Sequence, residues 1–191
     1  MWDMADEDVE GLLAAGDLEG AATAAIRTLG PRILGYLRAV LRDEGDAAEA
    51  FAGFAEDLWR GLPRFRRECA FRTWAFKLAW NAALHVRDDA FRRRGRRLET
   101  GEASRLADEI RRSSIARVEH EHAALDRLRD ALTPEERTLL VLRVDQQLAW
   151  EEIAEIVSGE GEPVTATTLR KRFERLKDRL AALARAEGLV E

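Results

Sequence analysis

The chain has almost no cysteine. Cys69 stands alone among 191 residues, which excludes an internal disulfide framework and any zinc cluster built on several thiolates. Long apolar runs are missing as well: no stretch of about 18 uncharged apolar residues occurs, so no membrane span is expected. The opening stretch MWDMADEDVEG is acidic where a secretion signal would be basic and then apolar, which predicts a cytoplasmic protein. Neither a Gly-rich phosphate loop nor a nucleophile elbow is present. His120 and His122 are two apart and fall on different faces of a helix, unlike a metal pair four apart. No enzyme, metal, cofactor or small-molecule substrate is therefore expected.

What the chain does have is apolar content and segregated charge. At 46% hydrophobic it can build one large domain or two small ones, each with its own core. The net charge of −5 conceals two basic blocks. Arg60 to Arg97 carries twelve bases against three acids and Leu169 to Arg185 seven against two, whereas the stretches before and between are acidic. Two basic blocks in an acidic chain are the footprint of contact with a polyanion at two places, although solvated helix faces also produce them.

Apolar residues recur at three and four nearly throughout, which predicts an all-α fold. Leu18 to Thr28 and Pro31 to Leu41 read as two helices, the second with proline in its first turn. Asp46 to Leu62 reads as a third, with Phe51, Phe54, Leu58 and Trp59 on one side and Pro63 ending it. A fourth runs from Phe71 to about Phe91 with Trp74, Leu78 and Ala82 as its stripe. Between Pro63 and His85, arginines alternate with tryptophans and phenylalanines at a density that a helix surface does not need. Arg92 to Arg117 has a glycine, a polar cluster and few large apolar residues, and reads as a linker.

The second unit begins near Ala123, with LDRLRDAL starting its first helix. Thr133, Pro134 and Glu136 form a capping box for the next, which runs to about Val144. WEEIAEIV is a short helix with Ile153, Ala154 and Val157 facing inward. After a turn comes a long basic helix buried along Leu169, Phe173, Leu176, Leu180 and Leu183. Short helix, turn and basic helix is the layout of a helix-turn-helix, and also of a plain αα-hairpin with a solvated basic face.

LTPEERTLLVLRVDQQLAWEEIAEIV followed by TTLRKRFERLKDRL resembles the promoter-binding C-terminal domain of bacterial RNA polymerase sigma factors of the extracytoplasmic-function (ECF) group of the sigma-70 family. GDLEGAATAAIRTLGPRILGYL, GDAAEAFAGFAEDLW and FRRECAFRTWAFKLAWNAALH follow, in order, that group's N-terminal domain. The resemblance implies an acidic N-terminal tail (1–16), an N-terminal domain for polymerase docking and minus-10 binding (17–95), a flexible linker (96–122) and a C-terminal helix-turn-helix for minus-35 binding (123–187). It implies core RNA polymerase and promoter DNA as partners, and allows an anti-sigma factor.

Residue by residue, the resemblance assigns minus-10 binding to Arg64, Arg66, Arg67, Phe71, Arg72, Trp74, Lys77, Trp80 and Asn81. Stacking of bases on aromatic rings with arginine on the phosphates is a physical means of holding a melted strand. Minus-35 binding falls to Thr167, Thr168, Arg170, Lys171, Arg172, Arg175 and Lys177, and polymerase docking to Glu49, Phe54, Glu56, Asp57 and Trp59. The chain departs from the family where the usual Gln-acid pair of the docking helix is Ala52 and Gly53, where the usual small capping residue is Ala149, in the long turn Ser158 to Val164, and in His85, Asp88 and Asp89, which stand where acidic and then basic residues are common. Two other readings stand beside this one: a stand-alone helix-turn-helix regulator that does not engage polymerase, and a helical adaptor with solvated basic faces.

Overall fold

The computed structural model describes residues 3–97, 128, 130–159 and 163–186. The described residues form seven α-helices and no strand: α1 (Asp3–Ala14), α2 (Leu18–Leu41), α3 (Glu44–Gly61), α4 (Phe71–Arg97), α5 (Pro134–Leu140), α6 (Trp150–Val157) and α7 (Ala166–Ala186). A 3-10 turn over Leu62–Arg64 follows α3, and a π turn over Val141–Asp145 extends α5.

Asp17 caps α2, its carboxylate accepting from the Gly20 N–H at 2.9 Å. The helix does not break at Pro31, contrary to the two-helix reading. An interior proline costs about 3 kcal/mol, but Pro31 is exposed while Ala25, Leu29, Ile33, Tyr36, Leu37 and Val40 are buried on both sides of it. The buried stripe holds the two halves in line. The helix closes at Arg42, which adopts the left-handed conformation (φ 57°) and returns its N–H to Arg38. Asp43 then caps α3 by accepting from Asp46 N–H at 2.8 Å, so α3 starts two residues earlier than the periodicity indicates.

α4 is longer than expected, continuing past Phe91 and through Gly95 to Arg97, so the first part of the anticipated linker is helical. Its buried face is also rotated from the expected one. Phe71, Ala75, Phe76, Ala79, Trp80 and Ala83 are buried, and so is Ala82 of the expected stripe, while Trp74 and Leu78 are only half-buried. Phe76 meets Tyr36 edge-on at 5.6 Å between ring centroids, joining α4 to α2. The acidic stretch at the start is helical over Asp3–Ala14 and packs on α2, with Val9 fully buried.

In the C-terminal part the capping box forms as anticipated: Thr133 Oγ1 accepts from the Glu136 N–H and Glu136 Oε2 accepts from the Thr133 N–H. Ala149 has no side chain to cap α6, and Glu152 Oε2 takes the Ala149 N–H at 2.9 Å instead. Ile153 and Ile156 are the buried residues of α6, whereas Ala154 and Val157, expected inside, are half-buried. Ser158 Oγ accepts from the Val164 N–H across the long turn, and Thr165 Oγ1 accepts from the Thr168 N–H at the start of α7. α7 buries Leu169, Phe173 and Leu176; Leu180 and Leu183, placed on the same stripe by periodicity, are half-buried. The remainder of the anticipated linker, half of the helix LDRLRDAL, His120 and His122 lie outside the described residues.

The helices of the two halves pack on each other, α5 against α2 and α6 against α4. Buried Tyr36 and Thr138 bring their hydroxyls to 3.3 Å, Arg137 donates to the Val40 carbonyl at 3.0 Å, and Arg87 pairs with Glu135. These contacts form a seam between α1–α4 and α5–α7.

Candidate nucleic-acid interface

Three surfaces gather the residues singled out in the sequence. The first is the loop before α4. Phe65 packs on Phe71 (5.4 Å, edge-on) and on Trp74 (4.9 Å, tilted), so an aromatic wedge ties the loop to the start of α4. Arg67 stands at φ 59°, a left-handed conformation that costs roughly 1 kcal/mol for a residue with a Cβ. A cavity of about 220 Å³ lies here, bounded by Arg64, Phe65, Arg66, Trp74 and Lys77 together with Glu68, Cys69 and Glu155. Gly61 fits because a Cβ there would sit 2.9 Å from Trp74 Cζ2. The opening has an aromatic wall on which an unstacked base could stack, and a rim of mixed charge in which Arg64, Arg66 and Lys77 stand with Glu68 and Glu155.

Not every residue assigned to minus-10 binding reaches this opening. Arg64, Arg66 and Arg67 are exposed and Lys77 half-buried, but Phe71 is fully buried and supports the wedge from beneath. Asn81 is exposed further along α4, while Trp80 is nearly buried and faces α5, α6 and α7 instead. Arg72 is turned into the seam. Its Nε and Nη2 donate to Glu152 Oε1 at 3.2 and 3.0 Å, and the Thr73 hydroxyl donates to the same oxygen at 3.0 Å. Burial opposes charge on Glu152, but the Ala149 N–H, Arg72 and Thr73 more than offset it and hold the carboxyl below its usual range. Beside it, burial and then the Glu155 carboxylate push the Cys69 thiol up to about 12, so it is not a thiolate at neutral pH.

The second surface is α7. Thr167, Thr168, Arg170, Lys171, Arg172, Arg175 and Lys177 are all exposed. Arg170 pairs with Glu151 of α6 at 3.1 Å and Lys177 with Glu174 at 2.8 Å. Arg179 donates to Glu136 at 2.6 Å and to the Ala131 carbonyl at 3.2 Å, which pins the far half of α7 to α5. The third surface is the outer side of α3, where Glu49, Glu56 and Asp57 are exposed and Trp59 is 51% exposed. Phe54 is the exception. It is completely buried, so its role is to seat α3 in the core and not to meet a partner.

Sequence reasoning missed Thr73, Glu152, Glu155, Tyr36 and Thr138, the residues that form or border the seam. Glu152 three residues after Ala149 was legible as a cap; nothing in the sequence signalled that its other oxygen reaches α4. Among the described residues no three His, Cys, Asp or Glu side chains converge to hold a metal ion, and no helix is long and apolar enough to cross a membrane.

Residues 25–97 match the family model Sigma-70 region 2. No curated protein matches the chain. The matched stretch takes in α3, the aromatic loop, all of α4 and most of α2, so the first and third surfaces lie within it. The family's members are non-enzymatic transcription initiation factors that bind core RNA polymerase and promoter DNA. Residues 25–97 are thus similar to region 2 of the sigma-70 family of RNA polymerase sigma factors, which supports a sigma factor's role in transcription initiation.

Proposed function

We propose that the chain is an ECF-type sigma factor that docks on core polymerase through α3, holds the melted minus-10 strand at the loop before α4, and reads the minus-35 duplex through α7. The observation that carries this reading is the exposed row of threonines and bases opening α7, on the same chain as the matched region 2. A helix whose first turns carry Thr167, Thr168, Arg170 and Lys171 has hydrogen-bonding side chains where a recognition helix meets base edges. Glu49, Asp57 and exposed Trp59 support α3 as the docking surface; an exposed tryptophan rimmed by carboxylates is a typical anchor for a partner protein. An anti-sigma factor is a further partner that would compete for these same faces.

In this reading the described arrangement is a closed one. Two promoter elements about 25 base pairs apart are separated by about 85 Å at about 3.4 Å per step, so both cannot be reached while α6 packs on α4. Residues 98–127 are long enough to bridge that gap, since thirty residues reach at most about 100 Å when extended. The test is reconstitution: the purified chain added to core polymerase on a genomic promoter library should give permanganate-reactive open complexes at a defined set of promoters. Absence of both co-purification with core and promoter opening would overturn the reading.

A further inference from the structure

A second cavity lies at the seam. Trp80 of α4 forms one wall, and Leu139 of α5, Val157 of α6 and Leu176 of α7 form the others, enclosing about 390 Å³. That volume is within the range that holds small organic molecules, and the lining is predominantly apolar. Its mouth carries Arg172 and Arg175, three apart on one face of α7.

The charges at the mouth are not balanced. Two glutamates also line the cavity, but Glu135 is engaged by Arg87, and Glu136 by Arg179 and the Thr133 N–H. Burial opposes the charge of both, yet these partners hold both below the usual carboxylate range, so they are ionised and already satisfied. Arg172 and Arg175 have no carboxylate partner among the described residues. An apolar chamber with two uncompensated guanidinium groups at its entrance calls for a ligand with an apolar body and a single anionic head, because the guanidinium fork matches a carboxylate in both geometry and charge.

We propose that the seam cavity binds a medium-chain carboxylate, with its alkyl chain against Trp80, Leu139, Val157 and Leu176 and its head on Arg172 and Arg175. Trp80 belongs to one half of the molecule and the other lining residues to the second, so the cavity exists only while α4 and α5–α7 are packed together. A ligand that binds this state alone stabilises it by mass action. Its head also occupies cations that a DNA phosphate would take. This last consequence, though not the binding itself, rests on the reading of α7 as a DNA-contacting helix.

The experiment titrates the full-length chain with sodium decanoate by calorimetry and thermal melting, with decanol and acetate as controls. Decanoate binds with saturation at one per chain and raises the melting temperature; decanol binds at least tenfold more weakly, and acetate produces no shift. Arg172→Gln with Arg175→Gln, both at exposed positions, melts like the wild type without ligand and binds decanoate at least tenfold more weakly. Equal binding of decanol and decanoate, equal binding by the double variant, or no saturable binding would each overturn the proposal. Since neither DNA nor polymerase is in the cell, this result is independent of the promoter assay. A separate arm adds minus-35 duplex, which decanoate displaces only if α7 also contacts DNA.

Discussion

Arg72 and Glu152 are joined through a single carboxylate oxygen, Oε1, which receives two N–H bonds from one guanidinium while Oε2 caps the start of α6. One side chain therefore does two things at once: it starts a helix in the C-terminal half and neutralises a candidate DNA-contacting arginine in the N-terminal half. A hydrogen bond to a charged group contributes about 1.5 to 3 kcal/mol, so this contact accounts for a sizeable part of what holds α6 on α4.

Replacing the carboxylate by an amide separates its two roles. Glu152→Gln keeps an acceptor for the Ala149 N–H and removes the charge that faces Arg72. Binding of the polymerase-free protein to single-stranded minus-10 DNA, read by fluorescence anisotropy, is expected to rise roughly threefold to tenfold, which corresponds to about 0.7 to 1.4 kcal/mol released from the seam. An unchanged affinity would show that the seam does not restrain Arg72.

Acid should loosen the same contact. Glu135 and Glu152 face Arg87 and Arg72 across the seam, and the pKa of each is depressed in the folded protein despite burial. A depressed carboxyl stabilises the folded arrangement above its unfolded pKa of about 4.3 and loses that contribution as pH falls through the lower folded value. Energy transfer between dyes on α3 and α7 should therefore hold steady from pH 7 to about pH 5 and decline below about pH 4. Glu152→Gln should flatten that decline; an identical curve in the variant would assign it to other groups.

The docking surface is tested by charge reversal. Glu49→Lys with Asp57→Lys changes two exposed positions, so the melting temperature should stay within a few degrees while affinity for core polymerase falls. Trp59→Ala should act in the same direction, because a half-exposed anchor contributes more to an interface than to the fold. Retention of all three variants on immobilised core at wild-type levels would reassign α3.

On α7 the early and late bases should fail differently. Arg170, in the first turns, should when changed to alanine cost about 1 to 3 kcal/mol on the preferred minus-35 duplex and relax its specificity. Lys177, paired with Glu174 two turns later, should weaken binding evenly across sequences and reduce the salt slope by about one. Holoenzyme binding to randomised minus-35 duplexes at several salt concentrations distinguishes the two; an Arg170→Ala profile with unaltered preference would mean that the side chain reads no base.

Helix identity was legible in the sequence because it depends on spacing, whereas the faces were not, because they depend on what lies opposite. Thr133, Pro134 and Glu136 declared α5 outright, since a capping box is satisfied within four residues. Phe54, Phe71 and Trp80 illustrate the limit. All three are aromatics in a cation-rich or acid-rich context that suits a partner, and all three are buried, Trp80 near a second set of helices that lies more than fifty residues further along the chain. Pro31 misled in the other direction: its local preference to start a helix was overridden by Leu29 and Ile33, which pack on either side of it.

Tyr36 is the only tyrosine in the chain, and it sits at the seam with its ring against Phe76 and its hydroxyl against Thr138. Burial drives its phenol well above the ordinary value of about 10. The molecule therefore carries its own optical gauge. Separation of α5 from α2 would move one phenol from an apolar, aromatic surrounding into water, shifting its near-ultraviolet absorption and making it ionisable by mild base. Difference spectra of the unlabelled protein can then follow the parting of its two halves.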